Sequence, residues 1–145
     1  MVEFEKGEKV GVSFCLLGAK IRYDGGSSEN ENVLRLLGQG LNIIPICPEL
    51  LGGLTTPRAA TERLGDRVVT KEGEDLTAEY ARCAEEELAL LLELGVTKLI
   101  VYSKSPTCGT RTFDGSFTHT RIERRGIFAE MCERNGINVY SEEEI

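Results

Sequence analysis

Three short apolar runs rich in Val and Ile, each leading into a cysteine, constrain the fold of this chain more than any other feature. Such residues favour β-strands, and the runs precede Cys15, Cys47 and Cys108. The second run ends abruptly, because Pro48 has no backbone N–H and restricts the residue before it to extended geometry. Ligands bind at the carboxyl ends of the strands in open parallel sheets. The pattern therefore predicts that the three thiols belong to one site at one edge of a sheet.

Helical patterns separate the strand-like runs, and this alternation is typical of a parallel sheet with right-handed crossovers. The longest helix is predicted over residues 77–94, where Tyr80, Leu88 and Leu91 recur on one face. The other main elements are predicted to be strands over residues 9–14, 41–46, 98–102 and 137–140 and a helix over residues 127–134. We therefore expect an α/β fold, a single compact domain over residues 1–145 with a mainly parallel sheet.

Other segments carry local signals of secondary structure. A Ser and a Glu three residues apart form a capping box, which predicts a helix over residues 29–37. A Thr-Pro pair predicts the start of a short helix over residues 56–64, and a brief edge strand is predicted over residues 67–69. An Asp-Gly pair between two alternating segments predicts a small hairpin insertion over residues 112–118.

Charge and hydropathy narrow the class of protein. The formal net charge of −7 argues against a broad nucleic-acid-binding face. No apolar run is long enough to span a membrane, and residues 1–9 alternate in charge too heavily for a signal peptide. We therefore expect a cytoplasmic protein with no membrane partner, in which cysteines stay reduced and serve chemistry, metal binding or packing.

Two of the five cysteines are interpreted as core residues. Cys83 lies on the apolar stripe of the long predicted helix, and Cys132 follows Phe128 and Met131 at helical spacing. A buried free cysteine behaves as a small hydrophobic residue, so packing explains both positions.

The remaining thiols, Cys15, Cys47 and Cys108, allow four kinds of chemistry. A disulfide with a spare thiol lacks the support of a Cys-x-x-Cys pair, and a single thiol nucleophile needs only one cysteine. Zinc binds three cysteines with a histidine, for which His119 is available. Thiolates also hold iron–sulfur clusters, and a cluster held by three of them has one iron open to substrate. Spacing alone leaves the cluster and zinc as alternatives.

Three motifs follow one another along the chain. They are Cys-Leu-Leu-Gly-Ala-Lys-Ile-Arg-Tyr-Asp-Gly-Gly at residues 15–26, Ile-Cys-Pro-Glu-Leu-Leu-Gly-Gly-Leu at 46–54 with Thr-Pro-Arg at 56–58, and Lys-Ser-Pro-Thr-Cys-Gly at 104–109. Together they resemble the DUF523 family, whose characterised members are thiouracil desulfidases. The resemblance extends from the first strand to residues 139–143, essentially the whole chain.

The resemblance implies a single Rossmann-like three-layer domain that holds a [4Fe-4S] cluster on Cys15, Cys47 and Cys108. The open iron would take the sulfur of a thiolated uracil while water replaces it at the ring carbon; thiolate-ligated iron is soft enough to prefer sulfur to oxygen. Glu49 and Ser105 match the acidic and hydroxyl positions of the family and are expected to transfer protons. Many relatives have a second cysteine before Arg-Tyr-Asp-Gly, where this chain has Ile21, so a fourth thiolate is excluded there.

The substrate remains open among forms that share a C=S group: free thiouracil, a thiolated nucleotide and 4-thiouridine in tRNA. Asp24, Gly25 and Gly26 are candidate substrate-binding residues, since a glycine loop before a helix can hold a phosphate, although Asp-Gly is also ordinary turn chemistry. The acidic balance favours a small molecule, whereas Arg121 and the Arg124-Arg125 pair offer a modest basic patch. A zinc-stabilised binding module and a plain electron carrier are the rival functions.

Overall fold

The computed structural model describes residues 2–145 and contains a four-stranded parallel sheet and a separate two-stranded hairpin. The strands are β1 (Lys9–Ser13), β2 (Asn42–Ile46), β3 (Thr61–Leu64), β4 (Arg67–Thr70), β5 (Lys98–Val101) and β6 (Asn138–Ser141). The order in the main sheet is β2-β1-β5-β6, and all three pairings are parallel. Val10 of the central strand β1 pairs with Ile43 on one side and Lys98 on the other.

Residues 2–145 also form four α-helices and three short 3-10 helices. The α-helices are α1 (Glu31–Leu34), α2 (Pro48–Leu51), α3 (Thr77–Leu94) and α4 (Ile127–Arg134), and the 3-10 helices are Phe14–Leu17, Arg35–Gly38 and Glu142–Glu144. Within residues 2–145, no helix has the length and apolar character needed to cross a membrane.

The sheet separates two apolar cores, because successive side chains of a strand point to opposite faces. Leu99 and Val101 of β5 pack against α3 and α4, whereas the intervening Ile100 packs on the other face with Val10 and Val12. Val33 of α1 and Leu16 cover that second face. The structure therefore confirms the three-layer, mainly parallel α/β architecture.

The predicted core cysteines and long helices are also confirmed. Cys83 and Cys132 have no exposed surface, and Cys132 packs in the core between the sheet, α3 and α4. Helices α3 and α4 have the bounds that the sequence predicts, residues 77–94 and 127–134. The strands of the main sheet agree with prediction to within one residue at each end.

The helix predicted over residues 56–64 is wrong, since Thr61–Leu64 form strand β3. This strand pairs in antiparallel fashion with β4, and Gly65 turns the chain between them in the left-handed conformation. Val68 and Val69 of β4 are buried, so pairing and burial override the local Thr-Pro signal. The predicted edge strand over residues 67–69 is β4, which lies in this hairpin and not at the edge of the main sheet.

The hairpin predicted over residues 112–118 is wrong in its bounds, because residues 112–114 pair with residues 120–122. Phe113 and Arg121 form an antiparallel bridge, and the N–H groups of Asp114 and Ile122 donate to the carbonyl oxygens of Thr120 at 2.9 Å and Thr112 at 2.8 Å. The loop between the paired residues is held by Glu62 on β3, whose carboxylate accepts hydrogen bonds from the N–H groups of Gly115 and Phe117, both at 3.1 Å. The small hairpin insertion of the fold exists, but β3 and β4 form it.

The helix predicted over residues 29–37 is shorter and divided. Helix α1 begins at Glu31, with Asn30 as the N-cap: its side chain accepts a hydrogen bond from the N–H of Val33 at 3.1 Å. The chain then tightens into the 3-10 helix Arg35–Gly38. An asparagine is as good an N-cap as the serine of the predicted capping box, so the box did not determine the start of the helix.

Candidate functional site

A cavity of about 460 Å³ opens at the carboxyl edge of the parallel sheet. Ser13 and Ile46, the last residues of β1 and β2, lie in its wall, and so does Tyr102 directly after β5. Parallel pairing of β1 with both neighbours brings these three strand ends side by side. The position is the one at which open parallel α/β sheets bind ligands.

Cys15, Cys47 and Cys108 all line this cavity, each supplied by the chain segment after a different strand. Cys15 lies in the 3-10 helix after β1, Cys47 lies between β2 and α2, and Cys108 lies in the loop after β5. Within the described part of the chain, no three His, Cys, Asp or Glu side chains converge closely enough to hold one metal ion. The thiols therefore surround a volume and do not meet at a point.

Two buried carboxylates flank Cys47. The backbone N–H of Cys47 donates to Glu87 Oε1 at 3.1 Å, and its thiol donates to Glu49 Oε2 at 3.5 Å. Glu49 lies in the first turn of α2, is 6 % exposed and lines the cavity. Pro48 starts α2 directly after Cys47, so the same turn of chain delivers a thiol and a carboxylate to the cavity.

The loop that carries Cys108 is shaped by Ser105, which also lines the cavity. Ser105 Oγ accepts hydrogen bonds from the N–H groups of Thr107 at 3.2 Å and Cys108 at 3.1 Å. Gly109 follows where a Cβ would overlap the carbonyl oxygens of Ser103 and Ser105. The loop therefore requires a hydroxyl before Cys108 and a glycine after it.

The three thiols are held in their protonated form by their surroundings. Burial and the nearby negative charge of Glu49 raise the pKa of Cys15 to about 11 and that of Cys47 to about 12. Burial, followed by the charge of Glu49, raises the pKa of Cys108 well above its usual value. A catalytic thiol nucleophile has a lowered pKa, so this environment does not fit one. All five cysteines are free, which does not support the disulfide alternative.

Cations and aromatic rings also line the cavity. Arg58, Lys71 and Lys104 line it, and none of the three forms a salt bridge with a carboxylate of residues 2–145. The guanidinium of Arg22 lies over the ring of Tyr102, 5.4 Å from its centroid. The cations of the wall, Arg22, Arg58, Lys71 and Lys104, outnumber its carboxylates, Glu49 and Glu62, so the wall has an excess of positive charge although the whole chain carries a net charge of −7.

Most of the residues predicted from sequence meet at the cavity, but the glycine turn does not. The cavity wall contains the three cysteines together with Glu49 and Ser105, and it does not contain Asp24, Gly25 or Gly26. Asp24 instead accepts a hydrogen bond from the N–H of Gly26 at 2.9 Å and lies 3.8 Å from Arg22. Their role in substrate binding stays a prediction.

Sequence reasoning missed several residues of the wall. Arg58 lies inside the second motif, which does not indicate its role, whereas Lys71 carries no local signal and reaches the cavity only through the fold. The sequence offers His119 as a zinc ligand, and in the structure its ring lines the cavity and packs against Phe113.

The fold and the site define a Rossmann-like α/β domain with a cysteine-lined ligand cavity at the carboxyl ends of its strands. The 2-thiouracil desulfurase family matches residues 10–144, and the chain belongs to this family of enzymes.

A relative and a solved structure agree with this membership. The uncharacterized protein YbbK of Bacillus subtilis (strain 168) is 33% identical over an alignment of 145 positions, which covers 92% of this chain and 95% of YbbK. The structure of the [4Fe-4S]-dependent thiouracil desulfidase TudS (DUF523Vcz) is similar with a TM-score of 0.87 and 40% sequence identity. That match covers 95% of this chain and 93% of TudS. The resemblance to the DUF523 family is thereby confirmed.

Proposed function

We propose that this protein is a [4Fe-4S]-dependent desulfidase that converts the C=S group of a thiolated uracil to C=O. The observation that carries the proposal is the set of three thiols, from three parallel strand ends, that surround one cavity beside a buried carboxylate. Three thiols spread around a cavity suit a cluster, which is wider than a single ion, better than they suit one zinc ion. The similarity to TudS supports the same cofactor.

Cys15, Cys47 and Cys108 would hold the cluster, and binding requires each thiol to lose its proton. When bound, the cluster supplies a soft Lewis acid with an open position for the sulfur of the substrate. The overall reaction adds one water and releases one hydrogen sulfide, so no external oxidant or reductant is needed.

Glu49 is the proposed base that accepts a proton from the attacking water. Its carboxylate lies at the cavity wall, 3.5 Å from the Cys47 sulfur, and therefore faces the volume that the cluster and the substrate would share. Ser105 is the proposed second proton-transfer group. Its oxygen accepts two backbone hydrogen bonds, which leaves the hydroxyl proton available for donation into the cavity.

The charge of the cavity wall supports a nucleotide as the form of substrate. Arg58, Lys71 and Lys104 supply positive charge without carboxylate partners, and a phosphate would neutralise it.

The basic patch considered for tRNA gives less support. The side chains of Arg121, Arg124 and Arg125 are all occupied in ion pairs, with Glu143 at 2.8 Å, Asp66 at 2.7 Å and Glu133 at 2.9 Å, respectively. We therefore propose a thiolated uridine nucleotide in preference to tRNA.

Anaerobic reconstitution followed by turnover tests the function. The protein should bind iron and sulfide and release one sulfide per uracil product, with the highest kcat/KM for 4-thiouridine 5′-monophosphate over free thiouracil and thiolated tRNA. A protein that binds zinc and remains colourless, or a brown protein that releases no sulfide from any of the three substrates, would contradict the proposal.

A further inference from the structure

Two residues of the cavity wall, Phe117 and His119, have an unusual backbone conformation. Their φ angles are 60° and 61°, and they are the residues other than glycine with positive φ in the described part of the chain. The left-handed region is unfavourable for bulky side chains. Such conformations persist where the surroundings impose them, and they cluster at ligand-binding and catalytic sites.

Glu62 on β3 holds this loop in place. Glu62 is 4 % exposed, and its Oε1 accepts hydrogen bonds from the N–H groups of Gly115 and Phe117, both at 3.1 Å. On the outer side of the loop, the Asp114 carboxylate accepts a hydrogen bond from the N–H of Ser116 at 2.9 Å. Contacts within the protein therefore hold this part of the cavity wall in place without a ligand.

The loop presents aromatic rings to the cavity. Phe113 and His119 pack edge to face, with ring centroids 4.9 Å apart and an interplanar angle of 88°, and both line the cavity together with Phe117. Phe113 and Phe117 are only half-buried and His119 is exposed, so part of the surface of each ring is free to contact a ligand. Aromatic side chains bind nucleobases by stacking, because every base has a π-face.

We propose that Phe113, Phe117 and His119 form the wall that binds the pyrimidine ring of the substrate, with Glu62 as the residue that positions it. The inference rests on the proposed function for the identity of the ring. It assigns binding of the base to the loop at residues 113–119, separately from the thiols and from the cations of the cavity.

His119 is the single histidine of the chain, so its imidazole gives one well-separated pair of resonances in a proton–carbon NMR spectrum. Uridine 5′-monophosphate, which carries the ring and no sulfur, should shift these resonances in a saturable manner in the full chain, with or without reconstituted iron. Ribose 5-phosphate, which has no ring, should leave them unchanged. An equal shift with both compounds, or saturable binding of the nucleotide without a shift, would overturn the proposal.

A matched pair of variants tests the energetic contribution of the wall. Phe113→Leu keeps an apolar side chain but removes the ring, so the Kd for uridine 5′-monophosphate measured by calorimetry should rise on the order of tenfold. Phe4→Leu makes the same change outside the cavity wall and should leave this Kd unchanged. Equal affinities of the two variants would exclude stacking on Phe113.

The positioning role of Glu62 is tested by comparing a conservative substitution with a non-conservative one. Glu62→Gln keeps a carbonyl oxygen that accepts from Gly115 and Phe117, so nucleotide affinity should stay near that of the wild type. Glu62→Ala should lose both affinity and the His119 shift. If Glu62→Ala keeps both, Glu62 does not position the wall.

The outcomes separate this inference from the proposed function. Nucleotide binding that depends on Phe113, in a reconstituted protein that releases no sulfide, supports the wall and refutes the desulfidase. Sulfide release that is unaffected, in both kcat and KM, by Phe113→Leu supports the desulfidase and refutes the wall.

Discussion

Glu49 and Glu87 are buried carboxylates on either side of Cys47, and they differ in what they touch. Glu49 contacts the thiol and lines the cavity. Glu87 on α3 accepts a hydrogen bond from the backbone N–H of Cys47 and is absent from the cavity wall. Contact with the reacting region is thus possible for Glu49 and not for Glu87. The two residues should therefore respond differently to the same Glu-to-Gln change.

Glu49→Gln removes a base but keeps the size and shape of the side chain. Desulfidation should fall by about 10²–10⁴-fold, the usual contribution of general acid–base catalysis. Iron content and the absorption spectrum of the reconstituted protein should not change. Cys132→Ala is the control, since this thiol is fully buried in the core and should be dispensable for both iron and turnover. Near-normal turnover of the glutamine variant would remove Glu49 from the mechanism.

Glu87→Gln should instead change stability in a pH-dependent way. Burial raises the pKa of Glu87 from 4.5 to about 6, so the folded state prefers the protonated form. Ionisation of Glu87 therefore lowers stability progressively as the pH rises from about 4.5 to 6, by up to about 2 kcal/mol above that range. The amide stays neutral and still accepts from the N–H of Cys47.

Urea unfolding of the metal-free chain checks this expectation. The free energies of unfolding of the wild type and Glu87→Gln should coincide near pH 4 and diverge in favour of the variant by pH 7.5. A constant difference across this range would show that the carboxyl group of Glu87 titrates normally.

At the scale of the element, long periodic segments were predictable and short ones were not. Helix α3 repeats its apolar positions over five turns, and the strands of the main sheet are runs of β-branched residues. The segment at residues 112–118 has a strong Asp-Gly signal, but its first residues pair with residues 120–122. Glu62, about fifty residues earlier in the chain, accepts hydrogen bonds from Gly115 and Phe117 and holds the wider loop between them. Such a long-range contact leaves no local pattern.

The contact between α2 and α3 positions Glu49. No local sequence pattern predicts this contact either. A Cβ at Gly52, which follows α2, would overlap the sulfur of Cys83 and lie 3.1 Å from its Cα. Gly52→Ala should therefore push α2 away from α3 and destabilise the protein by about 1–3 kcal/mol. Because α2 begins directly after Cys47, the variant should also retain less iron.

Gly38→Ala is the matched control for Gly52→Ala. A Cβ at Gly38 has no atom within 4 Å, so this change should be nearly neutral. The free energy of unfolding and the iron content per chain measure both effects. Equal stability of the two alanine variants would show that α2 and α3 do not require the close approach.

At the scale of the whole molecule, the site divides into a part that sequence could predict and a part that it could not. The three thiols were predictable because each directly follows a strand or its loop, and parallel strands end at one edge. The positive wall was not, because the net charge of −7 averages over the surface and conceals a local excess of cations. Lys71 follows β4 and Lys104 follows β5, and only the fold brings them to one cavity.

This local charge leads to a prediction about salt. Exposed charges interact over a Debye length of about 10 Å at 0.1 M salt, and higher salt screens them. Raising the salt concentration should therefore increase the KM for 4-thiouridine 5′-monophosphate and leave the KM for free thiouracil unchanged, because only the nucleotide carries a phosphate.

Lys71→Gln should raise the nucleotide KM roughly 3- to 10-fold at low salt and reduce its salt dependence, while kcat changes little. Lys20→Gln changes the net charge equally at an exposed position outside the cavity wall, so it should do neither. If both variants shift the nucleotide KM alike, the net charge of the protein and not its cavity governs phosphate binding.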